Sequence, residues 1–108
     1  MSNQIAVIRR NDDEIILAAE DVQTLTFKRN PALIGSAIRI YDAQKRYDIL
    51  YQTLAKWTER GLIRVLKRAP GLLELDEADV ALAARIYHTV RQHTTPQHAG
   101  RILNRVLS

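Results

Sequence analysis

The spacing of chain breakers between Tyr41 and Asp76 is what most restricts the fold. Asp48-Ile49 interrupts a helical pattern, Gly61 stands where a helix ends, and Pro70-Gly71 marks a turn. No piece between these points exceeds one short element. Residues 42–47 read as a short helix, with Ala43 and Tyr47 spaced i, i+4. Residues 51–60 read as a second helix, with Leu54 and Trp57 forming an inward face. Residues 62–66 are β-like because Ile63 and Val65 are branched, residues 67–71 form a turn, and residues 72–75 return as a second strand. Asp76 then caps a helix running to about His93, with acidic side chains in its first turn. Val80, Ala84, Tyr87 and Val90 share one face of that helix.

The flanks are less constrained. Ile5, Val7 and Ile8, the polar Asn11-Asp12-Asp13, and then Ile15, Ile16 and Leu17 suggest a β-hairpin. Residues 15–25 also suit a helix through Ala18, Ala19, Glu20 and Gln23, and both readings stand. Pro31 biases Asn30 away from helix, and Gly35-Ser36 is a further break. After Thr94-Thr95-Pro96, residues 97–107 read as a last helix with Ile102, Leu103, Val106 and Leu107 apolar. The chain of 108 residues fits one domain of modest stability. It divides into an N-terminal extension (1–35, a hairpin or a short helix), a central domain (36–93) and a C-terminal helix (94–108).

Several functions are excluded by what is missing. The chain has no Cys, which removes disulfides, Cys-ligated zinc and a thiol nucleophile. His88, His93 and His98 fall five apart, whereas helical metal ligands pair at i, i+4, so no metal is expected. Asp12-Asp13-Glu14 reads as a polar turn rather than a catalytic cluster. No Gly-rich phosphate loop and no Ser/His/Asp order stand out, so the expectation is no enzyme, no cofactor and no small-molecule ligand. No apolar run approaches the roughly 18 residues of a membrane span. Residues 1–10 lack the pattern of a signal peptide, so the reading is a cytoplasmic protein without a membrane partner.

The formal net charge of +4 is not evenly spread. Between residues 39 and 68, Arg39, Lys45, Arg46, Lys56, Arg60, Arg64, Lys67 and Arg68 face only Asp42, Asp48 and Glu59, while the two flanks together are slightly acidic. Such a segment attracts a polyanion. If Leu54 and Trp57 turn inward, Tyr51, Gln52, Ala55, Lys56, Glu59 and Arg60 turn to solvent. A helix fits the DNA major groove, where Gln52 can bond an adenine edge and Lys56 can reach guanine or phosphate. Tyr51 and Thr53 lie at the helix start, where phosphate oxygens are favoured. Arg64, Lys67 and Arg68, placed at the hairpin tip, suit phosphates or a minor groove.

Residues Tyr41-Asp42-Ala43-Gln44-Lys45-Arg46-Tyr47, Tyr51-Gln52-Thr53-Leu54-Ala55-Lys56-Trp57 and Arg60-Gly61-Leu62-Ile63 together resemble the MerR/excisionase-like winged helix-turn-helix superfamily. Leu75-Asp76-Glu77-Ala78-Asp79-Val80 is similar to the segment after the wing, and the resemblance spans about residues 38–92. Two positions depart from the pattern. Asp48 replaces the usual turn Gly, and Asp tolerates left-handed backbone. Leu50 replaces the usual Ser or Thr N-cap, which costs about 1 kcal/mol.

The resemblance implies a mostly α fold with a small β wing, a winged helix-turn-helix carrying an N-terminal extension and C-terminal helices. It implies sequence-specific binding of double-stranded DNA in transcriptional regulation. Tyr51, Gln52 and Lys56 would read the major groove, with Thr53, Arg60, Arg64, Lys67 and Arg68 on the backbone. It also implies a homodimer joined through a helix after the winged domain, although the apolar stripes of the last two helices can equally pack against residues 1–35. The alternatives are a phage- or plasmid-type recombination accessory factor, and a winged-helix protein-interaction or assembly module that binds no DNA.

Overall fold

The computed structural model describes residues 5–10, 14–19, 24–92 and 96–107. These residues form a small mixed fold of four helices and two three-stranded antiparallel sheets. The expected mostly α balance is therefore corrected toward strand. The difference lies in the N-terminal segment, where β1 (Ile5–Arg10), β2 (Glu14–Ala19) and β3 (Thr24–Lys28) make a meander in chain order. Val7 pairs with Leu17, and Ile15 with Phe27. The helical alternative for residues 15–25 fails because a strand there satisfies the backbone of a neighbour on each side, which a helix could not do. The expected turn at Asn11-Asp12-Asp13, and residues 20–23, lie outside the described residues.

The breakers of the central segment act as local chemistry requires. Helix α1 (Ile40–Tyr47) begins two residues earlier than its polar pattern suggested, and the extra Ile40 is buried. Asp48 closes it in the left-handed region, at φ 53° and ψ 53°, and the Ile49 N–H reaches back to the Gln44 carbonyl at 3.3 Å. Helix α2 (Tyr51–Glu59) follows after Leu50, which supplies no side-chain cap. Gly61, at φ 75°, ends α2 in a Schellman arrangement. The Leu62 N–H donates to the Trp57 carbonyl at 2.9 Å and the Gly61 N–H to that of Thr58 at 3.1 Å. The buried Leu62 and Trp57 side chains complete the motif.

The second sheet has the order β4-β6-β5, from β4 (Ala37–Arg39), β5 (Val65–Ala69) and β6 (Leu72–Asp76). Strand β4 was not legible beforehand, because three residues carry no periodicity. It forms because Ile38, opposite Leu75, buries its side chain as Leu75 does. Strand β5 starts later than the expected 62–66, since Leu62 and Ile63 are drawn into the core before the ladder begins. The turn shrinks to Pro70-Gly71, with Gly71 at φ 71° behind a proline, a pairing that suits a tight turn.

Helix α3 (Glu77–Arg91) is the axis of the core and touches α1, α4 (Pro96–Leu107), β3 and β6. Val80, Ala84 and Val90 are buried as their spacing requires, but so are Leu82, Ala83 and Ile86, because partners lie on more than one side. From α4, Ala99, Ile102 and Leu103 join the same cluster, as does Phe27 of β3. The buried residues named on α3 and α4 thus pack against each other and against Phe27. No helix among the described residues is long and apolar enough to cross a membrane.

Candidate nucleic-acid interface

The orientation of α2 follows from what it buries. Leu54 is fully enclosed, and Trp57 meets Tyr87 of α3 edge-on, with ring centroids 5.4 Å apart at 68°. The Thr58 hydroxyl returns to the Leu54 carbonyl at 2.6 Å, so that side chain is satisfied inside the helix. With this face fixed, Gln52, Lys56, Glu59 and Arg60 are left exposed on the other. Ala55 was expected among them. It is half-buried against the core instead, because it lies on the flank of the helix.

The hairpin presents its cations differently from the expectation. Lys67 and Arg68 are exposed on β5, opposite Glu74 and Leu73 respectively, rather than inside a turn. Arg64 is not at the tip at all. It precedes β5, at the base, where its backbone N–H donates to Asp79 Oδ2 at 2.9 Å and its guanidinium lies 3.6 Å from the same oxygen. The later start of β5 separates the trio.

A notch of about 300 Å³ lies where the two helix starts meet the hairpin, with Arg39, Tyr41, Tyr51 and Arg68 on its wall. Tyr41 and Tyr51 stack with centroids 5.2 Å apart and planes 27° apart, and Tyr41 remains 65% exposed. Arg39 and Tyr41 were missed as site residues. No periodicity links residues on separate helices, and the only available hint was the position of Arg39 at the edge of the basic segment. Thr53 does not join Tyr51. It faces a separate groove of about 500 Å³ lined by Lys45, Asp48, His88 and Arg91 among others.

The start of α3 holds this assembly together through three buried carboxylates. Asp76 caps its own helix, accepting from the Ala78 N–H at 3.0 Å, and also accepts from the Gly35 N–H at 3.3 Å. Glu77 accepts from the Tyr47 hydroxyl at 2.5 Å and from Arg46 at 2.8 Å. Asp79 binds Arg29 at 2.5 Å, beyond the end of β3, besides Arg64. Burial, then the bond to Glu77, pushes the Tyr47 hydroxyl up from 10 to about 12. For Glu77, burial pushes the carboxyl up, but donation from Tyr47 and Arg46 outweighs it and holds the group below its ordinary value. His88 is occupied structurally, with Nε2 2.8 Å from the Tyr47 carbonyl oxygen. Among the described residues no group of His, Asp and Glu is placed to hold a metal ion.

Two groups of cations bear on this surface. Arg29, Arg46 and Arg64 meet carboxylates of α3. Arg39, Lys56, Arg60, Lys67 and Arg68 make no ion pair among the described residues and are exposed. No known protein-family model, curated protein or solved structure matches the chain. The chemistry of this surface therefore rests on its own side chains.

Proposed function

We propose that this protein binds double-stranded DNA in a sequence-specific way, as a small winged helix-turn-helix regulator. Helix α2 enters the major groove, where Gln52 and Lys56 meet base edges and Arg60 meets the backbone. The β5–β6 hairpin acts as the wing, with Lys67 and Arg68 on phosphates. Arg64, tethered to Asp79, positions the base of the wing more than it grips DNA.

The observation that carries the reading is the group of exposed, unpaired cations on α2 and the hairpin. Arg29, Arg46 and Arg64 pair with carboxylates of α3, whereas Lys56 and Arg60 at α2 and Lys67 and Arg68 on the hairpin are exposed and make no ion pair among the described residues. Leaving like charges together on a surface is unfavourable unless a polyanion neutralises them. Titration of a labelled mixed-sequence duplex across salt concentrations tests it. Binding that weakens linearly on a log–log plot is expected. Absence of affinity at low salt would sink the proposal; where binding is seen, selection from random duplexes identifies the preferred site.

A further inference from the structure

The notch between the helix starts and the hairpin adds Arg39 and Tyr41, which the duplex reading does not use, and its composition is specific. It joins a pair of guanidiniums, Arg39 and Arg68, to a stacked pair of phenol rings, Tyr41 and Tyr51. Neither arginine has a carboxylate partner among the described residues. Tyr41 holds no core position: it is 65% exposed and stacks on Tyr51. A mostly exposed ring already stacked on one neighbour can serve as a platform for another planar ring. Guanidiniums beside it supply planar, bidentate recognition of phosphate. At about 300 Å³ the notch sits at the small end of ligand-sized cavities and suits one nucleotide unit rather than a folded partner.

Bases in a duplex present edges, not faces, so a ring platform has no use for paired DNA. We infer that the notch takes one unpaired nucleotide of a DNA strand. Its base stacks on the exposed Tyr41 ring, and its phosphate is met by Arg39 and Arg68. The protein would then grip the place where a single strand leaves the duplex held by α2. This inference rests on the duplex-binding proposal for its orientation and shares Arg68 with it, so its test turns on Tyr41, which the duplex reading does not use.

Fluorescence anisotropy with three labelled probes tests it: a blunt duplex, the same duplex with a short thymidine overhang, and the thymidine strand alone. The wild-type protein should bind the overhang duplex roughly tenfold tighter than the blunt one, the effect of one stacked base. Tyr41→Ala should remove that preference and leave the blunt duplex bound as before, while Tyr41→Phe should keep it, because the ring rather than the hydroxyl provides the platform. Circular dichroism confirms that each variant is folded. Equal wild-type affinity for blunt and overhang duplexes would overturn the notch assignment while leaving duplex binding intact. A Tyr41→Ala loss shared equally by both would also overturn it. No duplex binding, with strand binding abolished by Tyr41→Ala, would keep the notch and remove the duplex reading. No binding to any probe would overturn both.

Discussion

Tyr47, at the end of α1, donates its hydroxyl proton to Glu77 at the start of α3 over 2.5 Å. The same carboxylate oxygen accepts from Arg46 at 2.8 Å, although the Arg46 side chain is 58% exposed. The pair locks α1 onto the axis of the core. Because Arg46 is solvated, the Tyr47 bond provides most of the anchorage.

Removing one side of that pair should therefore cost less than removing the other. Tyr47→Phe deletes a donor but leaves Glu77 with Arg46, and should cost about 1 kcal/mol. Glu77→Ala strands the half-buried hydroxyl and should cost about 2–3 kcal/mol. Urea denaturation measures both. Equal losses would show that the carboxylate does not organise this corner.

The same pair sets a pH profile. The Tyr47 hydroxyl is raised from 10 to about 12, so the neutral form is favoured by folding. Its contribution is complete below pH 10 and disappears as pH climbs toward about 12. Glu77 is held below its ordinary value, so its contribution is present above the usual carboxylate range and is lost as pH falls through and below it. The urea midpoint should decline at both extremes, and Tyr47→Phe should flatten the alkaline limb. An unchanged alkaline limb in that variant would contradict the assignment.

Asp79 is 5% exposed and its partner Arg29 is 15% exposed, so this bridge is screened far less than a surface one. Asp79→Ala leaves a buried guanidinium unpaired and the Arg64 N–H without its acceptor. A loss of about 3 kcal/mol is expected, read as a drop in urea midpoint at unchanged slope. A loss under about 1 kcal/mol would mean that Arg29 escapes to solvent.

Leu50 stands at the N-cap of α2 with no capping bond and is 68% exposed. Leu50→Ser should add a bond to the first turn without disturbing the core, and stabilise the fold by about 0.5–1 kcal/mol. A thermal midpoint that rises by a few degrees supports this. A falling midpoint would mean that the Leu50 side chain contributes packing despite its exposure.

Lys67→Ala together with Arg68→Ala should weaken binding to every duplex alike and lower the log–log salt slope by about two. Gln52→Ala should instead change which sequences are preferred, with the slope retained. The two variants are compared by titrating a selected duplex and a scrambled one. If Gln52→Ala affects both duplexes equally, α2 is not the reading helix.

Much of the central segment was legible from composition and spacing. Asp48 as a left-handed terminator, Gly61 at the end of α2, Asp76 as a helix cap and Trp57 as core all follow from side chains acting within a few residues of themselves. The acidic first turn of α3 was read as helix capping, and that holds for Asp76. The roles of Glu77 and Asp79 were not visible, because Arg46, Tyr47 and Arg29 come from distant parts of the chain. Strand β4 and the register of β5 were hidden for the same reason, since each is decided by pairing with β6 rather than by its own residues.

By itself the sequence determined where the chain must break, which helix faces are apolar, and that the excess positive charge is confined to residues 39–68. Those properties are local, arising from backbone preference and from side-chain spacing. Only the tertiary structure decided which cations are paired and which remain free, and which tyrosines meet. Glu77 and Asp79 take Arg46 and Arg64 out of the basic set, while Arg39 and Tyr41 are carried to the side of Tyr51 and Arg68. Ion pairing and ring stacking act through space, over separations that no linear pattern records.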